Sequence, residues 1–230
     1  MKISWVLRTF QSREEKVMVT LWKSLIQHHA EYCSQLWSPS KTGSIQSIEL
    51  LQKNYFKQIH GLSSLSYWEM LKKLNIYSLE RRRERYRIIY TWKILEKQVP
   101  NLDVTPIISR PSKRRGRSCC VPPVSNKAPE YIKTIREASL PVMGPRLFNA
   151  MPKHIRDLKI NKCSLDSFKG HLDNFLALIP DEPLIPGLTK FRRVESNSVI
   201  DWVSSPYLRQ QDTQRDAVLN DRSAVQAVTA

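Results

Sequence analysis

Five arginines, Arg81, Arg82, Arg83, Arg85 and Arg87, crowd one short stretch, and Lys113, Arg114, Arg115 and Arg117 crowd another. Cationic groups at this density suit the binding of phosphate oxygens, because each neutralised phosphate releases condensed counterions. In the first group Glu80 can pair with Arg83, and Glu84 with Arg87, at i,i+3 spacing. Arg81, Arg82 and Arg85 are left without a local partner. Together with Lys113, Arg114, Arg115 and Arg117 they are the candidate nucleic-acid-binding residues. The same residues also admit plainer readings: a solvated, ion-paired helix face for the first group, and a solvated basic loop or nuclear-import tract for the second. Tyr55, Tyr67, Trp68, Tyr86 and Trp92 offer stacking surfaces, although aromatics at helical spacing also suit a core.

Catalysis has no comparable pattern. Two-metal phosphoryl transfer needs clustered carboxylates, yet no Asp precedes Asp103 and no two Asp are adjacent. The six glycines form no phosphate loop and no G-x-S-x-G. His28-His29 falls at the C-terminal end of an expected helix, where the dipole favours histidine. Cys33, Cys119, Cys120 and Cys163 show neither a disulfide framework nor zinc spacing, and His154, Cys163 and His171 match no zinc motif. No catalytic residue, metal or cofactor is expected, and the thiols read as reduced ones of an intracellular protein, nuclear or cytoplasmic.

These residues need elements to hold them. Ser78 is a good N-cap and Glu80 suits the positive first turn, so one helix is expected from Leu79 to about Lys97. Leu79, Tyr86, Tyr90 and Ile94 make one stripe; Ile88, Trp92 and Leu95 make a second on the far side. This predicts a central helix with a buried C-terminal half and a cationic N-terminal half. Before it, Ile3–Phe10 reads as the end of a helix begun before Met1. Ser12 with Glu15 forms a capping box for a helix to His29, a third helix spans 45–60 with Gly61 as its stop, and Ser66 with Glu69 starts a short helix through Leu74. After it, Ser118–Val121 could be an edge strand paired with Ile135–Leu140. Gly144-Pro145 opens a short helix, Arg146–Ala150, and Ser164 caps Leu165–Leu178, with Leu165, Phe168, Leu172, Phe175 and Ile179 toward the core.

The chain of 230 residues carries a net charge of +16 and has 41% hydrophobic residues. The basic excess peaks from the arginine helix through residues 101–127, as a nucleic-acid footprint would. Thirteen of the 14 prolines follow residue 99. The expected fold is mainly α: a helical bundle over 1–100, a basic proline-bounded linker over 101–128, and a smaller α+β piece over 129–180. Residues 181–230 read as a proline-rich, then polar, disordered tail. No apolar run approaches the length of a membrane span and no signal peptide is evident.

Several strings carry a resemblance together: Ile3–Arg13, Leu21-Trp-Lys-Ser-Leu25, Glu31-Tyr-Cys-Ser-Gln-Leu-Trp-Ser-Pro39, Leu79-Glu-Arg-Arg-Arg-Glu-Arg-Tyr86, Tyr90-Thr-Trp-Lys-Ile-Leu95, Gly144-Pro-Arg-Leu-Phe-Asn149 and Ser164–Pro180. From about residue 3 to about 202 the chain resembles the region C-terminal to the palm in reverse transcriptases of non-LTR (LINE-type) retrotransposons. That resemblance implies a thumb-like bundle and an extension, contacting an RNA–DNA or RNA partner without sequence preference. It also implies a palm domain, supplied in trans if at all. The family's polymerase aspartates would lie upstream of residue 1, so none is carried over and no enzyme activity is expected of this chain. The alternatives are a protein–protein interaction module, or an inert retroelement remnant.

Overall fold

Capping serines start three of the helices. Ser78 Oγ accepts the backbone N–H of Arg81 at 3.1 Å, and Ser164 Oγ accepts that of Ser167 at 3.2 Å. Ser66 and Glu69 complete a reciprocal capping box. A computed structural model describes residues 2–34, 37–39, 41–100, 108–112, 116–125, 127–183 and 197–204. In order these form α1 (Lys2–Thr9), α2 (Glu15–Leu21), a π-helical turn (Trp22–Ile26), α3 (Gln27–Glu31), α4 (Thr42–Phe56), α5 (Tyr67–Leu74) and α6 (Leu79–Leu95). Strands β1 (Ile108–Ser112) and β2 (Gly116–Cys119) follow, then α7 (Glu130–Ala138), α8 (Leu140–Ala150), α9 (Lys153–Arg156), α10 (Leu165–Ala177) and α11 (Val199–Ser204). The fold is mainly α, as expected.

The buried residues form two clusters. Val6, Met18, Trp22, Tyr55, Phe56, Met70 and Leu79 belong to the first. Ile88, Trp92 and Leu95 join Leu147, Phe148, Phe168 and Leu172 in the second. The clusters therefore divide inside α6, not at residue 100 where composition changes. Trp92 stacks on Phe168 with ring centroids 4.7 Å apart and donates its indole N–H to the Leu158 carbonyl at 2.9 Å. The stripe Ile88, Trp92, Leu95 is buried as expected, while Tyr86, Tyr90 and Ile94 of the other stripe are only half-buried. Next to Trp92, α8 presses its glycine onto α6: a Cβ at Gly144 would overlap Thr91 Oγ1.

Several expectations are corrected. Ser12 does not cap α2, which starts at Glu15 with Glu14 in the cap position and no side-chain cap. The helix expected to reach His29 is interrupted by the π-helical turn, whose first and last residues, Trp22 and Ile26, are buried in the core. Glu130–Ala138 is a helix, so β2 pairs instead with β1, antiparallel, Ile108 opposite Cys119 and Ser112 opposite Gly116. Gly116 adopts φ +69° beside that pairing, where a side chain would be strained and would meet Lys153 Cγ at 2.6 Å. α8 begins at Leu140, with Pro141 in its first turn and Pro145 inside it. Residues 181–183 and 197–204, expected in a disordered tail, are structural: Val199 is fully buried and Asn197 nearly so. Residues 205–230 lie outside the described residues.

Candidate nucleic-acid interface

The N-terminal half of α6, expected to be a cationic face, is buried. Arg81, Arg83, Glu84 and Arg87 are all shielded from solvent. Three acidic residues gather where this helix begins, from elements far apart in sequence. Asp181 accepts from the Ser78 backbone N–H and hydroxyl, both at 2.7 Å. Glu49 accepts from the Glu80 N–H at 2.7 Å and from the Tyr67 hydroxyl at 2.6 Å. Glu84 accepts from the Ser198 hydroxyl at 2.5 Å and the Val199 N–H at 3.0 Å. The first two lie at the positive end of the helix dipole, where carboxylates are favoured. Burial nevertheless raises Glu49 to about 7, partly countered by its bonds to Tyr67 and Glu80. Burial raises Glu80 to about 8, with repulsion from Glu84, Glu49 and Asp181 adding to it. Glu84 is raised as well, chiefly by burial, against the pull of Arg81.

Each α6 arginine proposed from the sequence has an internal partner. Arg81, 1% exposed, donates to the carbonyls of Pro180 at 3.1 Å and Asn197 at 3.0 Å. Arg82 is ion-paired with Glu31, and its guanidinium also meets the Tyr86 hydroxyl at 3.1 Å. Arg85 holds Asp173 through two bonds of 2.5 and 2.8 Å, and this pairing raises it further. The local pairs Glu80–Arg83 and Glu84–Arg87 do not form. Arg83 instead donates to the Ala30 carbonyl and Arg87 to that of Ala138, each at 2.7 Å. The arginines thus tie α3, α7, α10, Pro180 and Asn197 to one helix. No phosphate can reach Arg81 without displacing these contacts.

In the second basic group, Arg117 is also buried and pairs with Glu96 at 2.5 Å. Lys113, Arg114 and Arg115 lie outside the described residues; by sequence they join Ser112 to Gly116, whose pairing closes the hairpin. The Arg117 N–H bonds Asp157 at 2.7 Å, and Arg156 donates to the Arg117 carbonyl at 2.6 Å. Glu96, the partner of Arg117, also accepts the Ile160 N–H at 3.0 Å. One carboxylate therefore brings β2 and the turn after α9 together. That turn exposes Lys159 and Lys162, with Ile160 between them 44% exposed. Sequence reasoning passed over Lys159 and Lys162. Their only signal was a pair of lysines three residues apart in a segment with no helical period, a weak one beside the arginine clusters.

The proposed stacking aromatics are mostly core: Tyr55, Tyr67 and Trp92 are buried, Tyr86 is half-buried, and Trp68 is 38% exposed with Lys72 Nζ 5.3 Å from its ring centroid. The four cysteines are free thiols, and burial raises Cys119 to about 11, so it is not a reactive thiolate. Among the described residues no helix is long and apolar enough to cross a membrane. Compared with family models, with curated proteins and with solved structures, the chain matches none.

Proposed function

We propose that this chain is a noncatalytic nucleic-acid-binding unit, akin to the post-palm region of non-LTR reverse transcriptases, that contacts template–primer phosphates without reading bases. The observation that carries this reading is the convergence of the hairpin and the turn after α9 on Glu96. It sets exposed Lys159 and Lys162 beside the strand that continues from Lys113, Arg114 and Arg115. A basic connection next to a lysine turn suits a sugar–phosphate backbone, since phosphate contacts position a protein without specifying sequence. The α6 arginines serve this function indirectly, by holding the scaffold. A palm domain in trans remains part of the proposal through the family resemblance alone.

Five contacts would give a log–log salt slope of about −4.5 on the duplex-DNA calibration. Fluorescence anisotropy with an RNA–DNA duplex between low and moderate salt reads this directly, and replacing Lys113, Arg114 and Arg115 by Ala should flatten the slope. A second reading, a protein interaction module, draws on Tyr131 and Ile135, which lie one turn apart on α7 and are 67% and 64% exposed. Equal affinity for heparin and duplex at matched charge, with the variants still folded, would reject the nucleic-acid reading and favour this second one.

A further inference from the structure

Not every α6 arginine has an ion-pair partner among the described residues. Arg83 and Arg87 lie one turn apart, 3% and 5% exposed, and among the described residues neither forms an ion pair. Each guanidinium is held by one backbone carbonyl, Ala30 for Arg83 and Ala138 for Arg87, that of Arg83 also lies 5.5 Å from the Trp37 ring centroid, and the Nε–H of both is buried without an acceptor. Burial lowers both from the usual arginine range; for Arg83 the charges of Glu49, Glu31 and Glu80 oppose the effect, and for Arg87 Glu84 opposes it while the charge of Arg83 adds to it. Buried donors left unmatched cost free energy, more so when charged. Both side chains line a cleft of about 420 Å³, a volume in the range of small-molecule sites. Exposed Arg146 of α8 stands at the same cleft, with Met143 and Ile200 as apolar wall.

We propose that this cleft binds a phosphate monoester of mononucleotide size, its phosphate seated between Arg83 and Arg87. Three considerations support that class of ligand. Guanidinium groups offer forked donors that match phosphate oxygens, and two of them a helical turn apart can share one tetrahedral anion. The volume exceeds what inorganic phosphate needs and leaves room for an organic group against Met143 and Ile200. The carboxylates facing the cleft do not forbid an anion near neutral pH. Glu80 is largely protonated there and can donate a hydrogen bond, and Glu84 is already satisfied by Ser198 and Val199. Glu137 and Asp201 also face the cleft, and their charges oppose the ligand. Glu80 deprotonates at about 8, so binding should weaken as pH rises through that value.

This inference does not depend on the nucleic-acid reading, because no residue of the hairpin or of the turn after α9 lines the cleft. Isothermal titration calorimetry on the full chain would use a nucleoside 5′-monophosphate, inorganic phosphate and acetate, together with an oligonucleotide bearing or lacking a 5′-phosphate. Saturable one-site binding of the monophosphate is expected, weaker for inorganic phosphate and absent for acetate. Tighter binding of the phosphorylated oligonucleotide would make a polynucleotide end the source of the group; no gain from its phosphate would make the free monoester the source. Arg87→Lys keeps the charge but loses the fork, and should weaken binding on the order of tenfold. Arg146→Gln changes an exposed side chain that folding does not need, and should weaken it severalfold. Binding should be tighter at pH 6.5 than at pH 8.5. Absence of saturable heat with the monophosphate, or unchanged affinity in folded Arg87→Lys and Arg146→Gln proteins, would overturn the assignment.

Discussion

At the scale of single residues, the arginines of α6 carry the main lesson. Their cluster was legible in the sequence, but their partners were not. Arg82 meets Glu31 and Arg85 meets Asp173, 51 and 88 residues away, and Arg81 is bound by carbonyls at 180 and 197. A helical repeat reports neighbours three and four positions apart; it carries no information on a carboxylate delivered by another helix. Trp92 was legible, because its stripe with Ile88 and Leu95 is a pattern of one helix alone. Trp92→Ala should remove the stack on Phe168 and the bond to Leu158, destabilising by about 3–5 kcal/mol. A denaturant titration whose midpoint barely moves would show that the second cluster does not depend on it. Gly144 allows a companion test. Gly144→Ala should cost about 1–3 kcal/mol by overpacking against Thr91, and Thr91→Ala introduced with it should recover part of that loss. A double-mutant cycle with no coupling would mean the two helices do not meet there.

At the scale of elements, three of the four helices announced by a capping serine formed where the cap stood, Ser12 being the exception. Ser66, Ser78 and Ser164 each start a helix, because a serine oxygen satisfying an orphan N–H is a local interaction. Elements defined by tertiary contacts were not readable in this way. Ile135–Leu140 looked strand-like, yet the chain there is helical through Ala138 and begins α8 at Leu140. The chain from Asp181 on read as a proline-rich, then polar, disordered tail, but Asp181, Asn197 and Val199 are drawn in by the start of α6. That same start gathers carboxylates held above their ordinary value of 4.5, Glu49 at about 7 and Glu80 at about 8. In the unfolded chain these groups release their protons near 4.5, so between there and about 8 the folded state holds more protons. Their contribution to stability is therefore fully present at low pH, falls as pH rises through this window, and levels off above it. Melting temperatures recorded from pH 5 to 8.5 should decline, and Glu80→Gln should make the decline shallower. A Glu80→Gln profile parallel to that of the wild type would place Glu80 in solvent.

At the scale of the whole molecule, a net charge of +16 conceals a division of labour. The densest cationic stretch is internal wiring, and the charge left to solvent near the hairpin comes from lysines that look unremarkable in sequence. The central claim is that Arg81, Arg82 and Arg85 maintain the scaffold while the basic connection and the turn after α9 contact the phosphates of the nucleic-acid backbone. Salt dependence of RNA–DNA duplex binding, measured on two charge-removal variants of the full chain, separates these roles most directly. Lys159→Gln with Lys162→Gln should flatten the log–log slope by about 1.8 and leave the thermal melt nearly unchanged. Arg82→Gln with Arg85→Gln should lower the melting temperature and leave the slope of the folded protein as it was. The reverse result, a flattened slope from the α6 pair and an unaltered one from the lysine pair, would contradict this account.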